Sequence, residues 1–102
     1  MASPTERSLS MLRRRGYLCR VVEHWHAQAK IRQDLWGGDI LAVKQGEPPL
    51  LVQTTTRANQ SARIAKLRAL PSTTFLLRAD WQIVVHGWTV KGVTETRLTW
   101  KP

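Results

Sequence analysis

The sequence predicts a single α/β domain in which a mixed β-sheet is flanked by helices, with the elements in the order α-β-β-β-α-β-β. Three observations predict this class. Short runs of β-branched and apolar residues recur along the chain, two segments carry apolar residues at helical spacing, and glycine or proline separates the segments. A length of 102 residues is enough for one hydrophobic core and too short for two domains, so residues 1–102 are interpreted as one domain.

The first helix is predicted to begin at Thr5, because threonine is a favourable N-cap and Glu6 then lies in the first turn. Apolar residues at helical spacing follow, and Gly16 ends the helix. Residues 17–25 alternate in polarity and are rich in β-branched side chains, which predicts the first strand. A polar connection is predicted for residues 26–36.

Two short apolar strands are predicted to form a hairpin in the middle of the chain. The first covers residues 39–43 and follows a chain break at Gly37–Gly38. The second covers residues 50–55 and follows a turn with two prolines at 46–49. Antiparallel pairing would bring the start of the first strand beside the end of the second.

The second helix is predicted over residues 57–70. Alanines at spacings of four, three and four would let this helix lie close on the sheet: Ala58, Ala62, Ala65 and Ala69. A break at 71–74 and a short helical turn at 75–79 follow. Residues 82–90 and 94–100 are predicted to form a C-terminal hairpin.

The charge of the chain predicts a polyanionic partner. Sixteen Lys and Arg residues against seven Asp and Glu give a net charge of +9, and the excess is spread through both halves. Such a balance is typical of domains that bind nucleic acid, with a solvated helix face as the alternative for any one cluster. The candidate DNA-contacting residues are Arg13, Arg14, Arg15, Lys30, Arg32, Arg57, Arg63 and Lys66.

The cysteine content and the apolar segments exclude several classes. Cys19 is the single cysteine, so neither an intrachain disulfide nor a cysteine metal site is expected. Residues 1–10 are polar and lack the apolar stretch of a signal peptide, and no apolar run approaches the roughly 20 residues that span a bilayer. These features predict a cytoplasmic protein without a membrane partner.

The predicted hairpin brings together residue types that bind hard cations. Asp39 stands at the glycine-freed start of one strand, and Gln53-Thr54-Thr55 ends the other. A carboxylate and a second oxygen ligand on rigid strands suit Mg²⁺ or Mn²⁺, which can polarise a phosphodiester and activate water. The alternatives are a turn or cap role for Asp39 and a satisfied buried amide for Gln53.

Three features elsewhere each have a functional and a structural interpretation. Glu23, in the predicted first strand, is either an extra metal ligand or a solvated strand charge. His24 and His26 share one face at their spacing, but no third zinc ligand follows at a suitable distance, so a surface or phosphate-contacting role is favoured. His86 lies in an apolar strand and is interpreted as a core histidine.

The chain resembles the PD-(D/E)XK nuclease superfamily, the fold of restriction endonucleases and archaeal Holliday-junction resolvases, and above all its small phage and bacterial members. The likeness extends from about Thr5 to Trp88. The segments that carry it are Glu6 in the first helix, Asp39 after Gly37–Gly38, Gln53-Thr54-Thr55 in the place of (D/E)XK, and the run from Gln53 to Arg63 that leads into a helix.

The resemblance implies an αβββαβ restriction-endonuclease-like core and a DNA endonuclease that depends on Mg²⁺ or Mn²⁺, with branched or structured DNA as a candidate substrate. It implies that Glu6, Asp39 and Gln53 hold the metal directly or through water. With Thr55 at the position of the motif lysine, these four residues form the implied catalytic set. The implied location is the cytoplasm of a bacterial or phage-infected cell.

Two positions depart from the family motif. Gln53 replaces an acidic ligand by a neutral amide, and Thr55 replaces the lysine that would orient the attacking water. Lys66, Arg57 or Lys30 could supply the missing cation. One alternative is therefore a non-catalytic nucleic-acid-binding module with a degenerate nuclease site, and another is a structural or partner-binding phage protein whose charge only gives solubility.

The tryptophans of the C-terminal hairpin predict packing in the core or across a homodimer interface. Trp81, Trp88 and Trp100 lie in or beside this hairpin. A stacking platform for bases is the alternative, and it would require exposed rings. Because many nucleases cut both strands with two-fold symmetry, a homodimer is predicted.

Overall fold

The computed structural model describes residues 2–29 and 31–100, without the side chains of residues 25, 26, 31 and 32. Its helices are α1 (Pro4–Arg14), α2 (Gln60–Arg68) and α3 (Pro71–Arg78), and a short 3₁₀ turn, Arg57–Asn59, precedes α2. Its strands are β1 (Leu18–Val21), β2 (His24–His26), β3 (Ile31–Gln33), β4 (Ile40–Val43), β5 (Leu50–Thr56), β6 (Gln82–Thr89) and β7 (Gly92–Leu98). None of the helices in the described ranges is long and apolar enough to cross a membrane.

Five strands form a mixed sheet in the order β1-β4-β5-β6-β7. β1, β4 and β5 pair antiparallel, β5 and β6 pair parallel, and β7 returns antiparallel to β6. The parallel pair requires a crossover connection, which contains α2 and α3. The predicted α/β class, with a mixed sheet, flanking helices and a C-terminal hairpin, is confirmed.

The two faces of the sheet pack against different helices because successive side chains of a strand alternate between faces. On one face, Leu12 of α1 packs with Leu50 and Val52 of β5. On the other face, Leu51 of the same strand packs with Leu67 of α2. The sheet is therefore the middle layer between α1 and the pair of helices α2 and α3.

The predicted first strand is too long, and the predicted polar connection contains a strand. β1 ends at Val21, and the Val22 N–H then donates to the Asp39 carbonyl oxygen at 2.8 Å. β2 and β3 pair with each other as a separate two-stranded ribbon, with His24 opposite Gln33. These strands have three residues each, which is too short for their alternation to be recognised in a polar segment.

The prediction that an alanine stripe of the second helix faces the sheet is wrong. The four alanines are exposed: Ala58, Ala62, Ala65 and Ala69. Gln60 and Leu67 are buried instead, and Ile64 is half-buried. Leucine and isoleucine remove more apolar surface from water than alanine does, so the larger side chains determine which face of α2 packs.

Two helices, α1 and α3, begin earlier than predicted, and α2 begins at Gln60 after the 3₁₀ turn rather than at residue 57. The N-cap of α1 is Ser3 rather than Thr5: Ser3 Oγ accepts the Glu6 N–H at 3.2 Å, and the Glu6 carboxylate accepts the Ser3 N–H at 3.4 Å. α3 begins at Pro71, where the sequence predicted a break. Proline fits the first position of a helix because the N–H it lacks would have no partner there.

Candidate active site

A polar cavity of about 840 Å³ opens where β5 ends, between the start of α1, the loop before β4, and α2. The parallel strands β5 and β6 end at this edge of the sheet, and the carboxyl ends of such strands are where α/β sheets bind ligands. The lining residues with charged or polar side chains include Glu23, Asp34, Asp39, Gln53, Thr55, Arg63 and Lys66.

Gly37 and Gly38 allow the loop before β4 to pass close to α2 and β5. Gly37 has a φ of +85°, a conformation that favours glycine, and a Cβ atom there would collide with Leu67. A Cβ atom on Gly38 would collide with Leu51. The Asp34 carboxylate accepts the Gly37 N–H at 3.1 Å and closes this loop. The two glycines therefore determine where Asp39 enters the sheet.

Asp39 is fixed by three hydrogen bonds to one carboxylate oxygen. Its Oδ2 accepts the Gln53 side-chain amide at 2.7 Å, the Thr54 N–H at 2.8 Å and the Thr54 hydroxyl at 3.1 Å. The hydroxyls of Thr54 and Thr5 lie 2.7 Å apart, which connects α1 to the same group. Asp39 and Gln53 are thus in contact across the predicted hairpin. The other carboxylate oxygen of Asp39, Oδ1, accepts none of these three hydrogen bonds.

Burial raises the pKa of Asp39 from its ordinary value of 3.8 to about 6. The side chain of Glu23 contributes to the same rise because it lies within hydrogen-bonding reach of the Asp39 carboxylate, while the hydrogen bonds from Thr54 oppose it. Asp39 is only 5% exposed. The site therefore contains a pair of contacting carboxyl groups, Asp39 and Glu23.

Glu23 lies in this site, although the sequence favoured a solvated strand charge for it over a metal ligand. The register pairs Val21 with Ile40, and the backbone of Val22 then bonds to Asp39, so Glu23 follows directly beside the Asp39 position. The proximity of Glu23 to Asp39 could have been predicted only from the pairing of the predicted first strand with the strand that begins near Asp39.

The structure brings together five of the sequence-predicted site residues. Gln53 and Thr55 are two apart on β5 and so point to the same face of the sheet, and both are buried beside the cavity. Arg63 and Lys66 of α2 line the same cavity. The five residues are Asp39, Gln53, Thr55, Arg63 and Lys66.

Glu6 is not brought to this cavity, although the resemblance implies a ligand there. It is exposed, and its carboxylate accepts the Ser3 N–H in the capping box of α1. Ser3, Pro4 and Thr5 line the cavity, but Glu6 does not. The acidic partner of Asp39 in this geometry is Glu23 instead.

The predicted DNA-contacting residues divide into groups. Arg57 lies on the 3₁₀ turn outside the cavity, with its guanidinium 3.4 Å from Gln60 Oε1. Arg13, Arg14 and Arg15 lie at the opposite end of α1 from the cavity, about 16 Å away along its 11 residues. Lys30 and the side chain of Arg32 lie outside the described residues.

Arg15 has an additional structural partner. Its guanidinium donates to both oxygens of Glu95, at 2.8 and 2.9 Å. This fork-shaped ion pair raises the pKa of Arg15 and lowers the pKa of Glu95. Arg15 is therefore engaged in attaching α1 to β7.

A Ser-His-Glu network, in which Ser8 and His86 are buried and Glu95 is exposed, lies on the α1 side of the sheet. Trp88 Nε1–H donates to Ser8 Oγ at 2.8 Å, since an indole can only donate. Ser8 Oγ also lies 2.8 Å from His86 Nδ1, and in the neutral imidazole that carries its proton on Nε2 the Ser8 hydroxyl donates to Nδ1. His86 Nε2 lies 3.3 Å from Glu95. Burial lowers the pKa of His86, which favours this neutral form. Ser8 is completely buried, so the network holds structure rather than reaching a substrate, in agreement with a core role for His86.

The donor set of the cavity fits magnesium better than zinc. No group of three or more His, Cys, Asp or Glu side chains that could hold a metal occurs among the residues the structure describes. Magnesium does not need one, because it is bound through one or two carboxylates and completes its shell with water and substrate phosphates. Asp39 and Glu23 supply two carboxylates, and Gln53 and Thr55 supply neutral oxygens.

Comparisons with family models, with curated proteins and with solved structures gave no match to this chain. The assignment of a function therefore depends on the residues and geometry of the chain itself.

Proposed function

We propose that this protein is a metal-dependent DNA endonuclease whose active site is the cavity around Asp39. The observation that carries the proposal is the contact between the Asp39 and Glu23 carboxyl groups in a cavity that Arg63 and Lys66 also line. The order of elements supports it: an antiparallel β1-β4-β5 unit, a helical crossover and the parallel strand β6 agree with the αβββαβ core that the PD-(D/E)XK resemblance implies.

Asp39, Glu23 and the oxygen of the Gln53 amide would hold a Mg²⁺ ion at this site. When bound, such an ion polarises a phosphodiester and lowers the pKa of a coordinated water. Two carboxyl groups in contact resist ionising together, and a cation beside them removes that repulsion. In this proposal Glu23 takes the role that the resemblance assigns to Glu6.

The charges of the cavity favour metal dependence over simple phosphate binding. Three carboxylates line it, from Glu23, Asp34 and Asp39, against the two cations Arg63 and Lys66. A phosphate that enters therefore meets acidic groups that at least balance the two cations, unless a divalent cation offsets them. Arg63 and Lys66 then bind the phosphate oxygens.

Lys66 is the residue we propose in place of the motif lysine. Thr55 stands at the motif position and carries no charge. Lys66 lines the same cavity from α2, whereas Arg57 does not and Lys30 lies outside the described residues. A lysine ammonium there can orient the attacking water and stabilise charge on the phosphate.

Cleavage of supercoiled, nicked and branched DNA with Mg²⁺ or Mn²⁺ tests the proposal. Asp39→Asn, Glu23→Gln and Lys66→Met should each lower the cleavage rate by at least about 100-fold, a loss typical for one essential catalytic group. Glu6→Gln is the matched control, since glutamine preserves the capping box, and it should cut at the wild-type rate. Equal cleavage by wild type and Asp39→Asn would show that the activity belongs to a contaminant.

The second candidate function is a non-catalytic nucleic-acid-binding module. Two observations favour it: the Gln53 amide and Thr54 already satisfy Asp39 Oδ2, and Thr55 carries no charge. If the wild type cuts nothing and the double substitution Gln53→Glu with Thr55→Lys creates Mg²⁺-dependent cutting, the natural protein is this binding module. Under either function, the resemblance to small phage and bacterial nucleases implies that the protein acts in the cytoplasm of a bacterial or phage-infected cell.

A further inference from the structure

A second groove, of about 490 Å³, lies between α3 and the segment that follows β7. Arg68 of α2, Thr74 of α3, and Thr99 and Trp100 after β7 line it, with Leu77 and Leu98 at its apolar base. No carboxylate is among the described residues that line it, in contrast to the Asp39 cavity. An anion can therefore enter this groove without a metal ion.

Trp100 provides an aromatic surface in the groove. Trp100 is 40% exposed, and the Arg78 guanidinium lies over its indole ring, 4.5 Å from the ring centroid. This cation–π contact holds the indole in one orientation. Trp100 also lines the groove, so the exposed part of its ring is the part that a flat ligand in the groove would contact.

The other tryptophans of the hairpin region have structural partners. Trp81 packs edge-on against Trp36, with ring centroids 5.9 Å apart, and Trp88 bonds to Ser8 and lies under the Arg7 guanidinium. A stacking platform for bases requires an exposed ring, and of these three tryptophans Trp100 meets that requirement, whereas Trp81 and Trp88 do not.

The polar groups beside Trp100 suit a nucleotide. Arg68 is exposed and can bind a phosphate, and the hydroxyls of Thr74 and Thr99 can bond to base edges or sugar. The hydroxyl of Thr73 is already used, since it donates to the Leu67 carbonyl at 2.7 Å. An aromatic ring flanked by cations is the arrangement that binds single-stranded nucleic acid, because every base has a face to stack.

We propose that this groove binds a nucleotide of single-stranded DNA, with the base stacked on Trp100 and the adjoining phosphate on Arg68. The faces of duplex bases are already stacked, so the groove selects unpaired strands. Arg68 lies within about 7.5 Å of Lys66 and Arg63 along the axis of α2 but on the opposite flank of this helix, so one strand that contacts both the groove and the Asp39 cavity has to cross α2. The inference rests on the proposed DNA substrate but not on cleavage.

Anisotropy of a fluorescein-labelled oligothymidylate, measured in EDTA so that no cleavage occurs, tests the inference. Trp100→Ala should weaken binding of the single strand roughly 5- to 150-fold, the loss of one stacked base, while Trp100→Phe retains most of the affinity. Phe75→Ala is the matched control, because Phe75 is an exposed aromatic of α3 (78%) that lines neither cavity. It should bind like the wild type.

Two further comparisons give the result independent support. Arg68→Gln should weaken the binding of single-stranded DNA and reduce the salt dependence of that binding. Trp100→Ala should leave the affinity for duplex DNA within about twofold of the wild-type affinity. Equal losses for single strand and duplex, an unaffected Trp100→Ala variant, or displacement of the oligonucleotide by polyglutamate of equal charge would each overturn the inference. If Trp100→Ala weakens binding and no variant cleaves DNA, only the catalytic proposal fails; if the wild type cleaves and Trp100→Ala binds normally, only this inference fails.

Discussion

At the scale of single residues, Asp39 combines the features expected of a functional group with a cost to stability. Its carboxylate is buried, receives three hydrogen bonds on one oxygen, and contacts the carboxyl group of Glu23. A buried acid with a raised pKa is typical of functional sites. The burial of this carboxylate also predicts that its ionised form makes the folded state measurably less stable.

Asp39→Asn is predicted to raise thermal stability at pH 8 while abolishing cleavage. The raised pKa, about 6 against 3.8, means that the folded state holds the proton more tightly than the unfolded chain. Folding is therefore disfavoured as pH rises from 3.8 through 6, by about 3 kcal/mol at most. Asparagine avoids that charge, and the melting temperature should rise by at least about 4 °C.

Thermal denaturation between pH 3.5 and 8 checks this prediction. The gain should be largest at pH 8 and should shrink as pH falls below about 6 towards the ordinary pKa of 3.8. Asp34→Asn is the control, since Asp34 lines the same cavity but is exposed. A gain that is the same at every pH would show that burial of charge is not its cause.

At the scale of elements, the polar side chains on one face of α1 attach it to the sheet. Thr5 bonds to Thr54, Ser8 to His86, and Arg15 to Glu95, with Leu12 buried among apolar side chains. These positions recur at helical spacing and so share one face. Because Thr54 in turn bonds to Asp39, the placement of α1 supports the candidate site.

Ser8→Ala is predicted to destabilise the fold by about 2 kcal/mol. The substitution leaves His86 Nδ1 and Trp88 Nε1 without the hydroxyl that joins them, and unsatisfied buried groups cost about 1–3 kcal/mol. Urea denaturation measures the loss. Ser10→Ala, an exposed serine of the same helix, should change stability by less than about 0.5 kcal/mol. Equal effects of the two substitutions would contradict a structural role for the network.

Sequence reasoning succeeded where local spacing determines structure and failed where the register between distant segments does. The contact of Asp39 with Gln53 follows from a short hairpin that two turns define. The Ser8–His86 bond joins residues 78 apart in sequence, and the neighbourhood of Glu23 depends on how β1 pairs with β4. The alanine stripe of α2 was misjudged because spacing alone does not reveal which of two faces removes more apolar surface from water.

At the scale of the whole molecule, charge is distributed unevenly around a net +9. Three of the seven acidic residues line the Asp39 cavity, while Arg63 and Lys66 of α2 line the same cavity and Arg68 of α2 lines the second groove. Trp81, Trp88 and Trp100 all have ring contacts within the chain. The homodimer stays a prediction, which sedimentation at micromolar concentration tests.

DNA affinity is predicted to fall steeply with salt, and Lys66 is predicted to contribute to that slope. Each neutralised phosphate changes log K by about −0.9 per log unit of salt, so Lys66→Gln should reduce the slope for duplex DNA by about 0.9. Lys44→Gln, an exposed lysine that follows β4 at the end of the strand away from Asp39, should leave the slope unchanged. Binding that does not respond to salt would instead favour a structural protein whose charge only gives solubility.

The central claim is that Asp39 and Glu23 together hold a divalent cation, and calorimetric titration of Mn²⁺ at neutral pH without DNA tests it most directly. We predict that the wild type and Glu6→Gln bind one ion per chain with the same affinity. Asp39→Asn and Glu23→Gln should each bind at least about tenfold more weakly, a loss of 1.4 kcal/mol or more. An absence of binding by the wild type, or weakening by Glu6→Gln while Glu23→Gln binds normally, would contradict the account.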